Sequence, residues 1–349
     1  MRFTAGILNR RKPASGRLLP EKTENKLRDF VETVQSWRSP GLKALFDKEM
    51  TDHIRSRRFQ LILALVAVTS YASLYGAVSG LSGSEGSDYL FLALYTTSSG
   101  SIPSFLSFIA LLGPFVGIIL GFDGISGEKS DRTLYRIAAQ PIYRDAIING
   151  KFLAGAALIV LMVFTMGISI GAAGILALGI RPSPEEVARV FVFLVFTAVY
   201  ICFWLGLSLW LSVVARSAAA SAMAAIGLWI FCALFMGLVA SMIAGLVYPV
   251  NTQMQALYNS MGNYTLDLYL NRLSPYYLYS EAVTTIMNPG VRSVNVITMQ
   301  SLDGAVSSYL SLGQSLLLVW PHLAGLIALM LGTFAGSYVC FMRQEIRAK

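Results

Sequence analysis

Six long stretches of this chain contain no aspartate, glutamate, lysine or arginine, and this feature restricts its possible folds more than any other. The stretches cover residues 59–80, 102–122, 152–180, 190–215, 217–250 and 316–342. A helix needs roughly 20 apolar residues to cross about 30 Å of hydrocarbon, so each stretch is long enough to span a membrane. None shows the polar–apolar alternation of β-barrel strands. The pattern predicts an all-α polytopic membrane protein with six transmembrane helices.

Composition agrees with this class. Only 13% of the residues are charged and 55% are hydrophobic, whereas a soluble domain carries about 25% charged residues. The stretch 217–250 is longer than one crossing requires, so we expect it either to extend beyond the bilayer or to break near Gly245.

The distribution of basic residues predicts the topology. With six spans both termini share a side, and that side holds 23 of the 27 lysines and arginines. By the positive-inside rule this side is cytoplasmic, in a multi-pass protein of the cell membrane. The net charge of +8 is then a topology signal, and no nucleic-acid partner is expected. The predicted organisation is a cytoplasmic N-terminal segment (1–58), a transmembrane domain (59–342) and a cytoplasmic tail (343–349).

An amphipathic helix is predicted just before the first span, in "GLKALFDKEMTDHIRSRRF". Its apolar stripe consists of Leu42, Leu45, Phe46, Met50 and Ile54. The residues predicted to face away from that stripe are Lys43, Asp47, Lys48, Asp52 and Arg55. Such a helix can lie in the cytoplasmic interface as an anchor, or it can act as a lever against a cytoplasmic partner. The two roles are compatible.

The segment between the second and third apolar stretches, residues 123–151, is here called the charged link, since nine of its 29 residues are charged. Its pattern predicts a helix beginning near Ser130 or Asp131, with Leu134 and Ile137 on one face. Pro141 must end this helix, because it lacks an N–H and clashes with the preceding turn. A second helical segment then leads into the third span. The residues alone allow either a rigid helix–turn–helix that transmits force to two spans or a solvated loop.

The outer segment, residues 251–315, is predicted to contain short helices at the outer leaflet rather than a folded domain. Met254, Tyr258, Met261 and Leu268 recur at helical spacing, and a turn at Ser274–Pro275 precedes a second helix that stops at Asn288. Its six tyrosines, from Tyr258 to Tyr279, suit a membrane interface.

Glycines spaced four apart are predicted to allow close helix packing. These are Gly113, Gly117 and Gly121, then Gly167 and Gly171, then Gly332 and Gly336.

The chain offers no catalytic constellation, so we expect no enzyme activity and no metal site. The Gly150–Lys151 pair lacks the upstream glycine of a nucleotide-binding loop. The three cysteines have no metal-type spacing. His322, near the outer end of the last stretch, fits an interface position better than a proton relay. Any energy for transport must therefore come from another chain.

Three motifs resemble those of type-2 ABC permeases, the family of drug, lantibiotic and polysaccharide export subunits. The charged link is similar to the coupling segment of that family at Glu128, Thr133–Leu134, Pro141, Arg144 and Gly150–Lys151. Arg132 stands where the family often has glycine, so the local turn can differ. "KEMTDHIRSRRF" resembles the entry helix, and "LSPYYLYSEA" resembles the outer motif before the last span.

The resemblance implies a homodimeric permease in which each copy binds a separate cytoplasmic ABC ATPase. ATP and Mg²⁺ would be held by that ATPase, with no cofactor in this chain, and the cargo would be hydrophobic or amphipathic. The implied ATPase-coupling residues are Glu128, Arg132, Thr133, Leu134, Ile137, Pro141 and Arg144. The implied interface-helix residues are Leu42, Phe46, Met50 and Ile54, and the implied outer gate is Tyr258, Ser274, Pro275, Tyr276 and Glu281. The competing interpretations are a membrane scaffold or channel and an intramembrane enzyme, neither coupled to ATP.

Overall fold

The structure, a computed structural model, describes residues 40–81, 89–99, 102–140, 142–290 and 309–344. Within them, six helices are long and apolar enough to cross a membrane, and no strand occurs. Spans 1 to 6 are Arg57–Leu81, Phe105–Gly121, Arg144–Leu178, Pro184–Val214, Ala218–Val247 and Leu312–Arg343. The predicted all-α, six-span fold is confirmed. The side chains of residues 40, 137, 138, 256 and 257 lie outside the description.

Span 4 forms the centre of the bundle. It is the most buried of the six spans, and spans 2 and 6 both pack along it. Large side chains on its several faces, including Phe193, Tyr200 and Trp204, are fully buried. Spans 5 and 6 are the least buried of the six and expose apolar side chains over most of their length. In a membrane protein such surface meets lipid or another transmembrane chain.

Closely spaced glycines bring span 2 against span 4, as the sequence predicted. A Cβ atom added at Gly117 would lie 2.6 Å from the carbonyl oxygen of Ile201 and 2.9 Å from the amide nitrogen of Leu205. Backbone atoms cannot yield to such a contact, so only glycine permits this approach. At Gly332, by contrast, an added Cβ would meet no described atom outside its own helix turn within 4 Å, so close packing there stays a prediction.

Span 5 ends close to the predicted position and is irregular further upstream. The helix continues through Gly245 and ends at Val247, two residues beyond the position near which a break was expected. The irregularity is a π-helical segment at Phe231–Phe235. A π-helical turn adds a residue to one turn of the helix, which shifts the faces of the two halves relative to one another.

The outer segment contains the two predicted helices, Gln253–Asn271 and Pro275–Met287, with residues 291–308 outside the described range. The turn at Ser274–Pro275 and the stop at Asn288 are confirmed. The interface location is wrong for Tyr279, which is fully buried and stacks on Tyr200 with ring centroids 4.2 Å apart. The second helix therefore packs into the bundle by one face.

The charged link begins with two short helices, Ser126–Ser130 and Thr133–Ala138, and its last residues, 144–151, form the start of span 3. The single helix expected from Ser130 or Asp131 is therefore wrong at its start, because a break at these positions separates the two. The second predicted segment is confirmed, since span 3 begins at Arg144 and runs without interruption into the membrane domain. Pro141 lies outside the described residues.

Candidate functional site

A buried lysine connects three separate elements at the end of the bundle that carries the charged link. Lys151, in the second turn of span 3, is only 4% exposed. Its ammonium donates to Glu49 Oε1 at 2.9 Å and to Glu128 Oε1 at 2.8 Å. Glu49 belongs to the helix Pro40–Arg55, here called the interface helix, and Glu128 belongs to the charged link. One cation thus holds two carboxylates from distant parts of the chain.

A second cation completes this group, which we call the charge junction: Lys48, Glu49, Glu128 and Lys151. Lys48 Nζ lies 2.8 Å from Glu49 Oε1 and 3.0 Å from Glu128 Oε1, on the solvent side. Each carboxylate is therefore flanked by two ammonium groups, so its charge is neutralised despite burial. Breaking such a buried group by removing one partner typically costs about 3–5 kcal/mol, because a charge is left uncompensated.

The contacts of the junction favour the charged forms of Lys48 and Glu49. Burial by itself would lower the pKa of Lys48, but hydrogen bonds to Glu49 and Glu128 and their charges outweigh it and raise that pKa. Burial likewise opposes ionisation of Glu49, yet the charge of Lys151 and the two lysine hydrogen bonds lower the pKa of Glu49 below its ordinary value. Lys48 and Glu49 are thus both charged at neutral pH.

A small cavity of about 200 Å³ borders the junction. Asp123 and His53 lie on its wall, and Arg58 closes one side through a 2.8 Å ion pair with Asp123. Burial is the largest effect on His53 and lowers its pKa. Among the described residues, no group of three histidine, cysteine, aspartate or glutamate side chains is arranged to hold a metal ion.

An apolar cluster lies next to the charge junction and joins the same elements. Leu134 of the charged link is 3% exposed and packs in it. The other buried members are Leu45, Ile125, Ala146, Ile147, Ile148, Val213 and Phe341. They come from the interface helix, the charged link and spans 3, 4 and 6. The charged link is therefore packed against the bundle as well as paired to it.

The turn between the two short helices of the charged link depends on Arg132. Its φ is 58°, in the left-handed region that glycine enters readily and other residues rarely do. The departure from the family pattern at this position therefore leaves a glycine-like backbone in place. The side chains of Arg132 and Arg136 are both exposed, and Lys129 is a third exposed cation of the link.

The end of span 6 is fastened to the same region. Arg144 donates to the carbonyl oxygens of Phe341 and Gln344, at 3.1 and 2.7 Å. Gln344 in turn donates through Nε2 to the carbonyl oxygen of Val213 at the end of span 4. The start of span 3 and the ends of spans 4 and 6 are thus held together beside the charged link.

The predicted coupling residues have different structural positions. Glu128, Leu134 and Arg144 contact other parts of this chain, and Thr133 donates through Oγ1 to the carbonyl oxygen of Glu128 at 3.2 Å. Arg132 is exposed. The side chain of Ile137 and all of Pro141 lie outside the described residues. ATPase contact by this set stays a prediction.

A helix is confirmed at Pro40–Arg55, while its location at the membrane interface stays a prediction, and its inward face differs from the predicted stripe. Leu42, Phe46 and Met50 are half-buried, while Ile54 is 48% exposed. The most buried residues are Leu45 and Glu49. Sequence reasoning missed Glu49, because a glutamate next to Lys48 on an amphipathic helix is typical of a solvent-facing position.

At the opposite end of the bundle, the predicted outer-gate residues divide between surface and interior. Tyr258 is 76% exposed, and Tyr276 is half-buried. Ser274, which precedes Pro275, is buried and donates to the carbonyl oxygen of Cys232 at 2.8 Å. A gating role for this set stays a prediction.

Glu281 has the most extensive contacts of that set. It accepts two hydrogen bonds from Arg272, at 2.9 and 3.0 Å, and lies 2.7 Å from His322 Nε2. Burial opposes the charge on Glu281, but the hydrogen bonds from His322 and Arg272 lower its pKa. His322 is 6% exposed, so its expected interface position is wrong.

Arg189 at this end was also missed as a structural residue. It is fully buried and donates to Glu185 of its own helix, to the carbonyl oxygen of Ile286 and to that of Leu310. Glu185 also accepts from the amide of Leu312 at the start of span 6. The sequence signal for this contact was the spacing of Glu185 and Arg189, four residues apart in "EEVAR". The same spacing is common on exposed helix surfaces, so it did not indicate burial.

These features define a class: an α-helical membrane bundle whose charged link, interface helix and third span meet at one buried lysine. The profile of the ABC-2 family of transporter proteins matches residues 43–346. The chain belongs to the ABC-2 transporter family.

Two relatives have the same description, "Probable ABC transporter permease protein NosY". The protein from Pseudomonas aeruginosa is 29% identical over 198 residues, which cover 55% of this chain and 66% of the relative. The protein from Stutzerimonas stutzeri is 30% identical over 118 residues, which cover 33% and 39% of the two chains. The alignments thus span about two thirds and two fifths of these relatives.

Proposed function

We propose that this chain is the permease subunit of an ATP-driven ABC exporter in the cell membrane, with both termini in the cytoplasm. A separate ATPase, holding ATP and Mg²⁺, docks on the charged link. A second copy of this chain pairs with the first, and a hydrophobic or amphipathic cargo passes through the dimer. Membership of the ABC-2 family supports the permease role, as do the relatives described as permeases.

The observation that carries the proposal is the attachment of the charged link. Its two short helices connect spans 2 and 3 through links of only a few residues, and Glu128 is tied to Lys151 inside span 3. A displacement of the link therefore has to move both spans. A solvated loop, the alternative left open by the residues, would not bury Leu134 or pair Glu128 in this way.

The exposed surface of the link defines where the ATPase would bind. Lys129, Asp131, Arg132 and Arg136 face solvent, whereas Leu134 and Glu128 face the bundle. The available surface is thus polar with an excess of positive charge. Like-charge contacts at a protein interface cost several kcal/mol, so reversing two of these charges should disrupt docking on a matching acidic surface.

The test uses the full chain co-purified with its ABC ATPase and reconstituted in liposomes. We expect ATP hydrolysis to depend on the permease and to fall at least tenfold in the double variant Arg132→Glu/Arg136→Glu. Arg216→Glu is the matched control, since Arg216 is also exposed and lies on the same side of the bundle. Unchanged hydrolysis in the double variant, or an equal loss in the control, would contradict docking on the link.

A further inference from the structure

The joint between the interface helix and span 1 carries three arginines in four positions. Arg55 ends the interface helix, Ser56 forms the joint, and Arg57 and Arg58 begin span 1. The joint is compact: the Ser56 amide donates to the His53 carbonyl oxygen at 3.1 Å, and Gln60 Nε2 donates to the Ile54 carbonyl oxygen at 3.1 Å. The backbone that carries the arginines is therefore held in a defined position relative to both helices.

Two of these arginines are left without an acidic partner in the described part of the chain. Arg58 pairs with Asp123 at 2.8 Å and lies over the ring of Phe122. The carboxylate of Asp52, one turn before Arg55, lies 3.4 Å from Lys48 instead. No described carboxylate lies within 4.0 Å of Arg55 or Arg57, and both side chains are exposed. Their charges are available to an external anion.

An exposed apolar stripe begins one turn beyond Arg57. Leu61 and Val68 are 72% and 68% exposed, and Leu65 and Tyr75 continue the stripe along span 1. Residues four apart lie on the same helix face, so Arg57 stands at the end of this stripe. In a membrane the stripe contacts acyl chains, which places Arg57 at the level of the lipid headgroups.

We propose that Arg55 and Arg57 bind the phosphate of an anionic phospholipid whose acyl chains lie along Leu61, Leu65 and Val68. The planar guanidinium group matches phosphate oxygens in a bidentate arrangement. A free phosphate or an acidic peptide would use the arginines but not the apolar stripe that continues from them. A phospholipid fits both features, because its phosphate can pair with the arginines while its acyl chains lie along the apolar stripe. This inference is independent of the ATP-driven function proposed above.

The experiment is native mass spectrometry of the purified full chain titrated with phosphatidylglycerol and, separately, with phosphatidylcholine. The test variant is Arg55→Gln/Arg57→Gln. The control is Arg181→Gln, because Arg181 is also exposed and lies just before span 4 at the opposite end of the bundle. Both variants alter exposed side chains, so thermal unfolding midpoints should match the wild type.

Each basic residue near an anionic headgroup contributes about fivefold to binding. We expect phosphatidylglycerol to bind about 25-fold more weakly to the double variant, with the control unchanged and excess inorganic phosphate unable to compete. Equal binding by wild type and double variant would overturn the proposal. So would an equal loss in Arg181→Gln, or full competition by inorganic phosphate, which would indicate a phosphate site without a lipid.

Discussion

Lys151 Nζ lies 2.8 Å from Glu128 Oε1, although 23 residues and the turn of the charged link separate them in the chain. The contact joins the start of span 3 to the first short helix of the charged link, which follows span 2. Since Glu49 accepts from the same ammonium, the interface helix is included. The interface helix, the charged link and span 3 are thus joined by side chains at one end of the bundle.

Removing the central cation should therefore destabilise the whole end of the bundle. We expect Lys151→Met to lose about 3–5 kcal/mol, because two buried carboxylates remain without their shared partner. The thermal unfolding midpoint in detergent measures this. Lys43→Met is the control, since Lys43 is exposed on the interface helix. An unchanged midpoint in Lys151→Met would show that the junction is not closed in the protein.

Leu134 should contribute to stability through its packing. It is 3% exposed in the apolar cluster beside the charge junction, and truncating a buried leucine to alanine costs about 2–5 kcal/mol. We expect Leu134→Ala to lower the unfolding midpoint and Leu61→Ala, on the exposed stripe, to leave it nearly unchanged. Similar midpoints for both variants would mean that Leu134 faces outward.

The backbone at Arg132 predicts a stabilising substitution. A residue other than glycine in the left-handed region costs about 1–2 kcal/mol, partly offset by the greater freedom of glycine in the unfolded chain. We expect Arg132→Gly to raise stability by up to about 1 kcal/mol. Arg136→Gly, inside the helix Thr133–Ala138, should instead lower it by about 1 kcal/mol. A higher unfolding midpoint in Arg132→Gly together with a lower one in Arg136→Gly would confirm the turn. Lower midpoints in both variants would contradict it.

His53 should make the protein sensitive to mild acid. Burial, the largest effect, lowers its pKa below the ordinary 6.5, so the unfolded chain binds the proton more readily. The free energy of unfolding is therefore unaffected by this histidine above pH 6.5, and it decreases as the pH falls through the lowered pKa. We expect the unfolding midpoint to drop between pH 7 and pH 5, and to drop less in His53→Gln. The same pH dependence in both proteins would exclude this origin.

The sequence predicted the six spans well, because runs without charge are set by the bilayer rather than by tertiary packing. The outer helices followed from helical periodicity. The glycine spacing of span 2 predicted close packing on a neighbouring helix, although not that the neighbour is span 4. The charge junction could not be predicted. Glu49 looked solvent-facing, and Lys151 was visible only as part of a family motif. Pairing across 102 residues, as between Lys151 and Glu49, depends on how the helices cross, which periodicity does not encode.

The buried ionisable residues at the outer end were missed for a related reason. Arg189 and His322 lie at the borders of apolar stretches, where a charged side chain usually reaches the interface. Both are instead enclosed by the outer helices, which supply carbonyl and carboxylate acceptors. Burial there depends on the outer helix Pro275–Met287 folding back onto the bundle, which no local pattern reveals.

The most direct measurement of the central claim is photo-cross-linking between this chain and its ABC ATPase in the membrane. A photoreactive residue at position 136 of the charged link should form a cross-link to the ATPase that changes in yield when ATP is added. The same residue at position 216 or 181 should form far less. Efficient cross-linking from 216 or 181 with none from 136, or no cross-link from any of the three positions in an active complex, would contradict the assignment of the charged link as the ATPase-docking element.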